Sequence, residues 1–131
     1  SGIFGVEFFV TKEDEVIFSE LSPRPHDTGM VTMYTQNYSQ FDIHARVLLG
    51  MPLPEIKLLQ SGASHVILAE ENAKGDYIIE GVEKALEDKN VNIRIFGKPF
   101  LKSYRRMGVV LAASLEKAKN AANMIKVKSK T

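Results

Sequence analysis

The chain has 131 residues, of which 44% are hydrophobic and 25% are charged, a balance typical of a globular protein with one core and at most a small further subdomain. Its formal net charge of +1 argues against a nucleic-acid-binding or membrane-binding surface that depends on bulk charge. It contains no cysteine, which excludes disulfide bonds, thiolate metal sites and a cysteine nucleophile.

The first predicted element is a β-hairpin. Residues 5–10 and 16–21 are rich in Val, Ile and Phe, and the polar residues 12–14 lie between them. A turn centred at positions 13 and 14 fixes which residues of the two strands face each other. The pairs that this register predicts are Val10 with Ile17, Phe9 with Phe18, and Glu7 with Glu20.

The predicted Glu7–Glu20 pair calls for a chemical reason. Directly opposed like charges destabilise a hairpin, and a half-buried carboxylate pair must share a proton or bind a cation. Mg²⁺ is suited to such a pair, because it takes one or two protein carboxylates and leaves its other positions to water and phosphate. A β-bulge would offset the pair by one residue. Two interpretations stay open: a Mg²⁺ site, or two edge glutamates that face solvent.

The loop after the second strand is stiff and polar. Pro23 and Pro25 fix φ and favour extended backbone at the residues before them, so the loop presents Arg24, His26 and Asp27 just beyond a strand end. An arginine there suits a phosphate or a carboxylate, and the aspartate can receive an amine or a sugar hydroxyl. The alternative is an ordinary surface turn, since Pro, Asp and Gly are common turn residues.

The chain then turns to helix. Residues 30–34 are predicted as a strand or a short turn. A helix is predicted over residues 40–49, because Ser39 and Asp42 have the spacing of a capping box and apolar residues recur along one face. His44 lies on this helix and is interpreted as a solvated or structural histidine.

Pro52 and Pro54 indicate a connector, which divides the chain into predicted domains at residues 1–54 and 55–131. The second domain is predicted to be β-rich with short helices, so the predicted fold class is α+β. Its predicted strands are 63–69, 77–79, 91–96 and 105–113, its predicted helices are 81–88 and 115–125, and a frayed tail is predicted over 128–131.

A second group of candidate functional residues is cationic. Lys98 follows one predicted strand, and Arg105 and Arg106 open the next. A connection of this length predicts a hairpin that brings the three cations to one end of the sheet. Arginine offers a two-pronged fork and lysine a point charge to a phosphate monoester. The alternative is a solvated basic hairpin tip, with one arginine in a structural ion pair because successive strand residues point to opposite faces.

Four segments together resemble a known family: FGVEFFV at 4–10, EVIFSELSPRPHDTGMVT at 15–32, FGKP at 96–99 and RRMGVVLA at 105–112. They are similar to the end of the ATP-grasp domain and the following region of the formate-dependent phosphoribosylglycinamide formyltransferase family. The resemblance covers nearly all of the chain. It departs from the wider ATP-grasp pattern at Ser22, where many members have an asparagine that contacts the metal.

The resemblance implies an enzyme that activates formate with ATP as formyl phosphate and transfers the formyl group to the amine of glycinamide ribonucleotide, in purine biosynthesis. It implies no catalytic nucleophile on this chain. The implied metal ligands for Mg²⁺ are Glu7 and Glu20, the implied substrate-binding residues are Asp27, Lys98, Arg105 and Arg106, and the implied additional loop contacts are Ser22, Arg24 and His26.

The resemblance also implies a carboxy-terminal fragment of a longer enzyme, inactive by itself, because the family's glycine-rich loop and nucleotide-binding lysines lie upstream. It implies a homodimer, for which the residues show no assembly signature. The longest apolar run, 107–113, is far shorter than the roughly 18 residues of a membrane span, and no signal peptide precedes the first strand. We therefore expect a cytoplasmic protein without membrane or nucleic-acid partners.

Two other functions compete with this one. The first is another ATP-grasp ligase, such as carboxyaminoimidazole ribonucleotide synthetase, which uses bicarbonate and aminoimidazole ribonucleotide. The sequence Asp27-Thr28-Gly29 and the cationic group favour the formyltransferase over this ligase. The second is a non-catalytic binding module that retains the fold. The opposed carboxylates argue against such a module, because a decayed site has no reason to keep them.

Overall fold

The computed structural model describes residues 2–130. The chain divides into two compact units, with the boundary between Leu59 and Gln60. Both units combine antiparallel strands with helices, which confirms the predicted α+β fold class. The predicted domain boundary between Pro54 and Glu55 stays a prediction. No helix among residues 2–130 is long and apolar enough to cross a membrane.

The first unit begins with the predicted hairpin and continues with short helices. Its elements are β1 (Gly5–Val10), β2 (Val16–Ser22), a 3₁₀ helix (Asp27–Val31), α1 (Thr32–Thr35) and α2 (Gln40–Leu48). The apolar side chains of the hairpin are largely exposed; Phe9 and Val10, for example, are 64% and 68% exposed. A hairpin of this kind gains little stability from burial of its own side chains.

The predicted hairpin register is right at the glutamates and wrong at the tip. Glu7 pairs with Glu20, whereas Phe9 pairs with Ile17 and Val10 with Val16. Asp14 adopts a left-handed backbone with φ of 61°, which shifts the tip of the hairpin by one residue. A β-bulge between the Glu7 and Phe8 pairs takes up that shift and brings the two carboxylates opposite each other.

The strand alternative for residues 30–34 is wrong, because local hydrogen bonds close helical turns there. The Thr32 hydroxyl donates to the carbonyl of Gly29 at 2.5 Å, and the Thr35 hydroxyl donates to the carbonyl of Val31 at 3.1 Å. Both threonines are buried. Side-chain bonds of this kind let the β-branched residues of the segment adopt a helical conformation despite their strand propensity.

The predicted capping box of α2 is confirmed. The Ser39 hydroxyl accepts from the Asp42 amide at 3.1 Å, and the Asp42 carboxylate accepts from the Ser39 amide at 2.8 Å. The Asp42 carboxylate accepts hydrogen bonds from the Ser39 hydroxyl and amide, and these bonds lower the pKa of Asp42 below its ordinary value. The cap therefore begins the helix at Gln40 and satisfies two backbone groups that the helix leaves unpaired.

Over its described residues, 60–130, the second unit contains two small antiparallel sheets and two helices. Its elements are β3 (Ala63–Leu68), β4 (Tyr77–Glu80), α3 (Val82–Ala85), β5 (Asn92–Ile95), β6 (Arg106–Ala112), α4 (Leu115–Met124) and β7 (Lys126–Ser129). One sheet has the order β3-β6-β5, and β4 pairs with β7 in the other. Strand β6 is central, and its residues Met107, Val109 and Val110 are fully buried. Helix α4 packs on this sheet through small alanines such as Ala118.

The prediction of a frayed tail is wrong for the described residues 128–130, and Thr131 lies outside the described residues. Lys128 and Ser129 end β7 and pair with Ile78 and Tyr77 of β4. The buried side chain of Val127 anchors the strand. Glu80 accepts a hydrogen bond from the Lys128 ammonium at 2.8 Å, and this contact raises the pKa of Lys128. The strand could not be predicted from this segment, because its composition is polar and only one of its residues is deeply buried.

Gly81 is predicted to be the most sensitive glycine of the second unit. It has φ of +84°, and a Cβ atom there would overlap the backbone carbonyl of Met124. We expect Gly81→Ala to lower the free energy of unfolding, measured by urea titration, by about 3 kcal/mol or more through combined strain and overpacking. Gly75→Ala is the matched control, since Gly75 has φ of +73° and open space around it. Equal losses of stability in the two variants would contradict this prediction.

Candidate functional site

The bulged hairpin places two carboxylates side by side at the end nearest to the loop. Glu7 on β1 and Glu20 on β2 are directly paired across the antiparallel ladder. Their side chains are 40% and 53% exposed, so both are open to a ligand and neither is deeply buried. Directly opposed residues of an antiparallel pair have Cβ atoms about 4.5–5.5 Å apart, which lets two glutamates share one cation.

The loop that leaves β2 folds back on this carboxylate pair. The imidazole of His26 is 6% exposed, and its Nδ1 atom lies 2.8 Å from Oε1 of Glu7. Its Nε2 atom lies 3.6 Å from Oε1 of Glu20 and has no hydrogen-bond partner within the described part of the chain. The Ser22 hydroxyl donates to the same Glu20 oxygen at 2.8 Å. Two of the three predicted additional loop residues therefore contact the carboxylates.

Arg24 and Asp27 are both exposed on this loop. The Arg24 guanidinium donates to the carbonyl of Pro25 at 3.1 Å, and its side chain is exposed. Asp27 is exposed at the first position of the 3₁₀ helix. Both residues are thus accessible to a ligand, which agrees with the predicted character of the loop without assigning either a role.

The chemistry of the pair fits a hard divalent cation. No group of three or more His, Cys, Asp or Glu side chains among residues 2–130 is arranged to hold a metal ion. Mg²⁺ does not require such a cage, because it is commonly held by one or two carboxylates together with water and phosphate oxygens. Two half-exposed carboxylates on paired strands, each contacted at one oxygen by a neighbouring side chain, meet that requirement.

The cationic group lies at one end of the sheet in the second unit. Strand β5 ends at Ile95 and pairs antiparallel with β6, which begins at Arg106. The predicted β5–β6 hairpin is therefore confirmed, and Lys98, Arg105 and Arg106 all belong to its connection or to the first residue after it. Arg106 is exposed, and Lys98 and Arg105 are half-buried.

Phe100 orders this connection, and sequence reasoning did not identify it. The Arg105 guanidinium donates to the carbonyl of Phe100 at 2.8 Å and lies 4.8 Å from the centre of its ring. The Tyr77 hydroxyl donates to the carbonyl of Lys98 at 2.7 Å and fixes the other end of the connection. A phenylalanine two residues from a lysine and five from an arginine is a weak signal in the sequence, and only the folded connection makes it specific.

Sequence comparison divides the chain into two known parts. Residues 1–41 match the ATP-grasp domain, and residues 62–128 match the family described as the C-terminal domain of PurT. The first match contains both carboxylates and the loop, and the second contains the cationic connection. The two matches correspond to the two parts of the chain that the sequence resemblance described.

Curated relatives match nearly the whole chain. A formate-dependent phosphoribosylglycinamide formyltransferase from Trichormus variabilis is 54% identical over 98% of this chain, and one from Bacillus velezensis is 53% identical over 92% of it. These alignments cover 34% and 32% of the two relatives. The chain thus spans about a third of the length of the curated relatives that it matches.

Solved structures from two related groups of enzymes share the fold. An N5-carboxyaminoimidazole ribonucleotide synthetase from Thermotoga maritima has a TM-score of 0.89 and 35% identity to this chain. The match covers 98% of this chain and 38% of the synthetase. The glycinamide-RNase-transformylase T from Mycobacterium tuberculosis has a TM-score of 0.69 and 28% identity to this chain. The match covers 94% of this chain and 35% of the transformylase. Fold alone therefore does not separate the two groups.

Proposed function

The chain belongs to the family of the PurT carboxy-terminal domain, and from this premise we propose that it is part of a formate-dependent phosphoribosylglycinamide formyltransferase. The observation that carries the proposal is the 54% identity over 98% of the chain with a relative of that name. Because the chain spans about a third of such relatives, the activity is proposed for the full-length protein that contains it. The chain by itself is expected to be inactive.

In the proposed reaction, formate attacks the γ-phosphorus of ATP and forms formyl phosphate with release of ADP. The amine of glycinamide ribonucleotide then attacks the formyl carbon, and inorganic phosphate leaves with the electrons of the broken C–O bond. Neither step requires a nucleophile from the protein, so the side chains act by binding and orienting the reactants.

The carboxylate pair is proposed as the metal site for this reaction. Glu7 and Glu20 would hold Mg²⁺, and Ser22 and His26 are the loop residues that contact them. When bound there, Mg²⁺ would supply positive charge that offsets the negative charge of the ATP phosphates. Two adjacent carboxylates without a cation would repel each other, and this repulsion supports a site that is complete only with a positive charge.

The exposed loop and the cationic connection are proposed to bind the ribonucleotide. Asp27 holds the substrate near its reacting end. Lys98, Arg105 and Arg106 bind its phosphate monoester, for which two guanidinium forks and an ammonium are well suited. The ring and carbonyl of Phe100 hold the Arg105 guanidinium in place before substrate arrives, which reduces the entropy lost on binding. Arg24 remains a further contact of the loop in this proposal.

A carboxyaminoimidazole ribonucleotide synthetase is the second candidate, because such an enzyme has a TM-score of 0.89 to this chain. It would use the same carboxylates with bicarbonate in place of formate. The higher sequence identity favours the formyltransferase, 54% against 35%.

We place the reaction in the cytoplasm and propose a homodimer as the form of the full-length protein, as the sequence resemblance led us to expect.

ADP release by the purified full-length protein separates these candidates. It is measured with ATP and Mg²⁺ in the presence of formate plus glycinamide ribonucleotide, and separately with bicarbonate plus aminoimidazole ribonucleotide. Release that depends on the formate pair is the expected result. Release only with the bicarbonate pair would overturn the substrate assignment and retain the metal site. Release with neither pair would instead favour a non-catalytic binding module.

A further inference from the structure

His26 is the only described histidine that is buried between two carboxylates, and the reaction proposed above gives it no chemical step. We propose that His26 is a positioning residue for the metal site. It fixes the orientation of Glu7 and approaches Glu20, so that the two carboxylates present their other oxygens together to a divalent cation. This inference rests on the proposed function of the carboxylate pair and names a residue that controls it.

The first argument is the pattern of contacts. His26 Nδ1 reaches Oε1 of Glu7 at 2.8 Å, while the Ser22 hydroxyl reaches Oε1 of Glu20 at 2.8 Å. An ionised carboxylate only accepts hydrogen bonds, so Nδ1 must carry the proton and donate it. These contacts use Oε1 of each glutamate, and the atoms that they leave for a cation are the two Oε2 oxygens. The two contacts thereby restrict the rotation of both carboxylates.

The second argument is that the ring is fixed before any ligand arrives. The φ angle of Pro25, the residue before His26, is fixed by its ring. The His26 backbone is extended, with φ of −92° and ψ of 171°. The ring packs against the backbone of β1 at Gly5, where an added Cβ atom would lie only 2.8 Å from the His26 Cδ2 atom. Gly5 is the residue that lets the imidazole reach Glu7.

The third argument is the geometry at Nε2. This atom is buried, and its distance of 3.6 Å to Glu20 Oε1 exceeds that of an ordinary hydrogen bond. The imidazole is therefore placed beside Glu20 without binding it as firmly as it binds Glu7. Side chains that orient metal ligands in this manner typically change metal affinity by 10- to 100-fold when they are replaced.

The test measures Mn²⁺ binding to the full-length protein in the presence of ADP, followed by the loss of the free Mn²⁺ signal in electron paramagnetic resonance. We expect His26→Ala to weaken Mn²⁺ binding by about 10-fold or more. His26→Asn, whose amide nitrogen replaces Nδ1, should bind within about threefold of wild type, whereas His26→Gln, whose amide replaces Nε2, should not. This difference between the two amides is the signature of the Nδ1 contact.

A second variant tests the same idea without removing a polar group. Gly5→Ala displaces the imidazole, so it should also weaken Mn²⁺ binding. The thermal midpoint is recorded without metal for every variant. A purely structural role would lower that midpoint in Ala, Asn and Gln variants alike and leave the Mn²⁺ affinity of the folded protein unchanged, and this result would overturn the inference.

One control keeps the inference separate from the proposed metal site. If wild-type protein binds Mn²⁺ and Glu20→Gln weakens that binding, the metal site stands, and unchanged binding in His26→Ala then refutes the positioning role alone. If Glu20→Gln binds Mn²⁺ as wild type does, the proposed metal site itself is wrong, and the inference about His26 is rejected with it.

Discussion

Glu20→Gln in the full-length protein is expected to reduce the rate of ATP turnover by about 100- to 1,000-fold. The amide keeps the size and shape of the side chain and removes its negative charge, so the variant weakens the hold on Mg²⁺ without creating a cavity. Glu7→Gln should have an effect of similar size, because Glu7 is the direct partner of Glu20 across the hairpin. The rate of ADP release at saturating substrates measures both effects.

The same substitutions should leave the metal-free protein at least as stable as wild type. Two opposed carboxylates repel each other, and one amide removes that repulsion while its oxygen still accepts a hydrogen bond. The thermal midpoint without Mg²⁺ is therefore expected to stay constant or to rise. Glu15→Gln is the matched control, since Glu15 is an exposed glutamate beside β2 at the other end of the hairpin. Wild-type turnover in Glu7→Gln or Glu20→Gln would refute the metal site.

Much of this site could be predicted from the sequence because hairpin formation is a local property. Two stretches rich in Val, Ile and Phe, with a polar turn between them, located both strands to within one residue. The pairing at the tip could not be predicted, because it depends on the left-handed backbone of Asp14 and on the Thr11 hydroxyl, which accepts from two amides of the turn. The pair Glu7–Glu20 was predicted correctly only because a bulge compensates for the shifted turn.

The remaining differences arise where tertiary contacts override local preference. Strand β7 consists of Lys126–Ser129, a segment that alternates lysine with other residues and has one deeply buried side chain, Val127. Its pairing with β4 provides the backbone hydrogen bonds of a strand, although its composition does not favour one. Likewise, the contact of Phe100 with Arg105 depends on how the β5–β6 connection folds, and periodicity carries no information about it.

Removal of one cation from the phosphate-binding group should raise the KM for glycinamide ribonucleotide and leave the KM for ATP nearly unchanged. For Lys98→Ala and Arg106→Ala, we expect increases of about 10- to 100-fold, because a hydrogen bond to a charged group contributes roughly 1.5–3 kcal/mol. Arg105→Lys should also raise this KM, since an ammonium cannot reproduce the two-pronged guanidinium contact that Phe100 orients. Initial rates at varied concentrations of each substrate measure these constants.

Lys102→Ala provides the matched control for these cations. Lys102 is an exposed lysine in the same β5–β6 connection and lies 5.7 Å from the centre of the Phe100 ring. Its removal changes the net charge by the same amount as that of Lys98, so a general electrostatic effect would raise the KM equally in both variants. A direct phosphate contact predicts a change below about threefold for Lys102→Ala and a much larger one for Lys98→Ala. Equal effects in the two variants would show that bulk charge, and not a defined phosphate site, accounts for the binding.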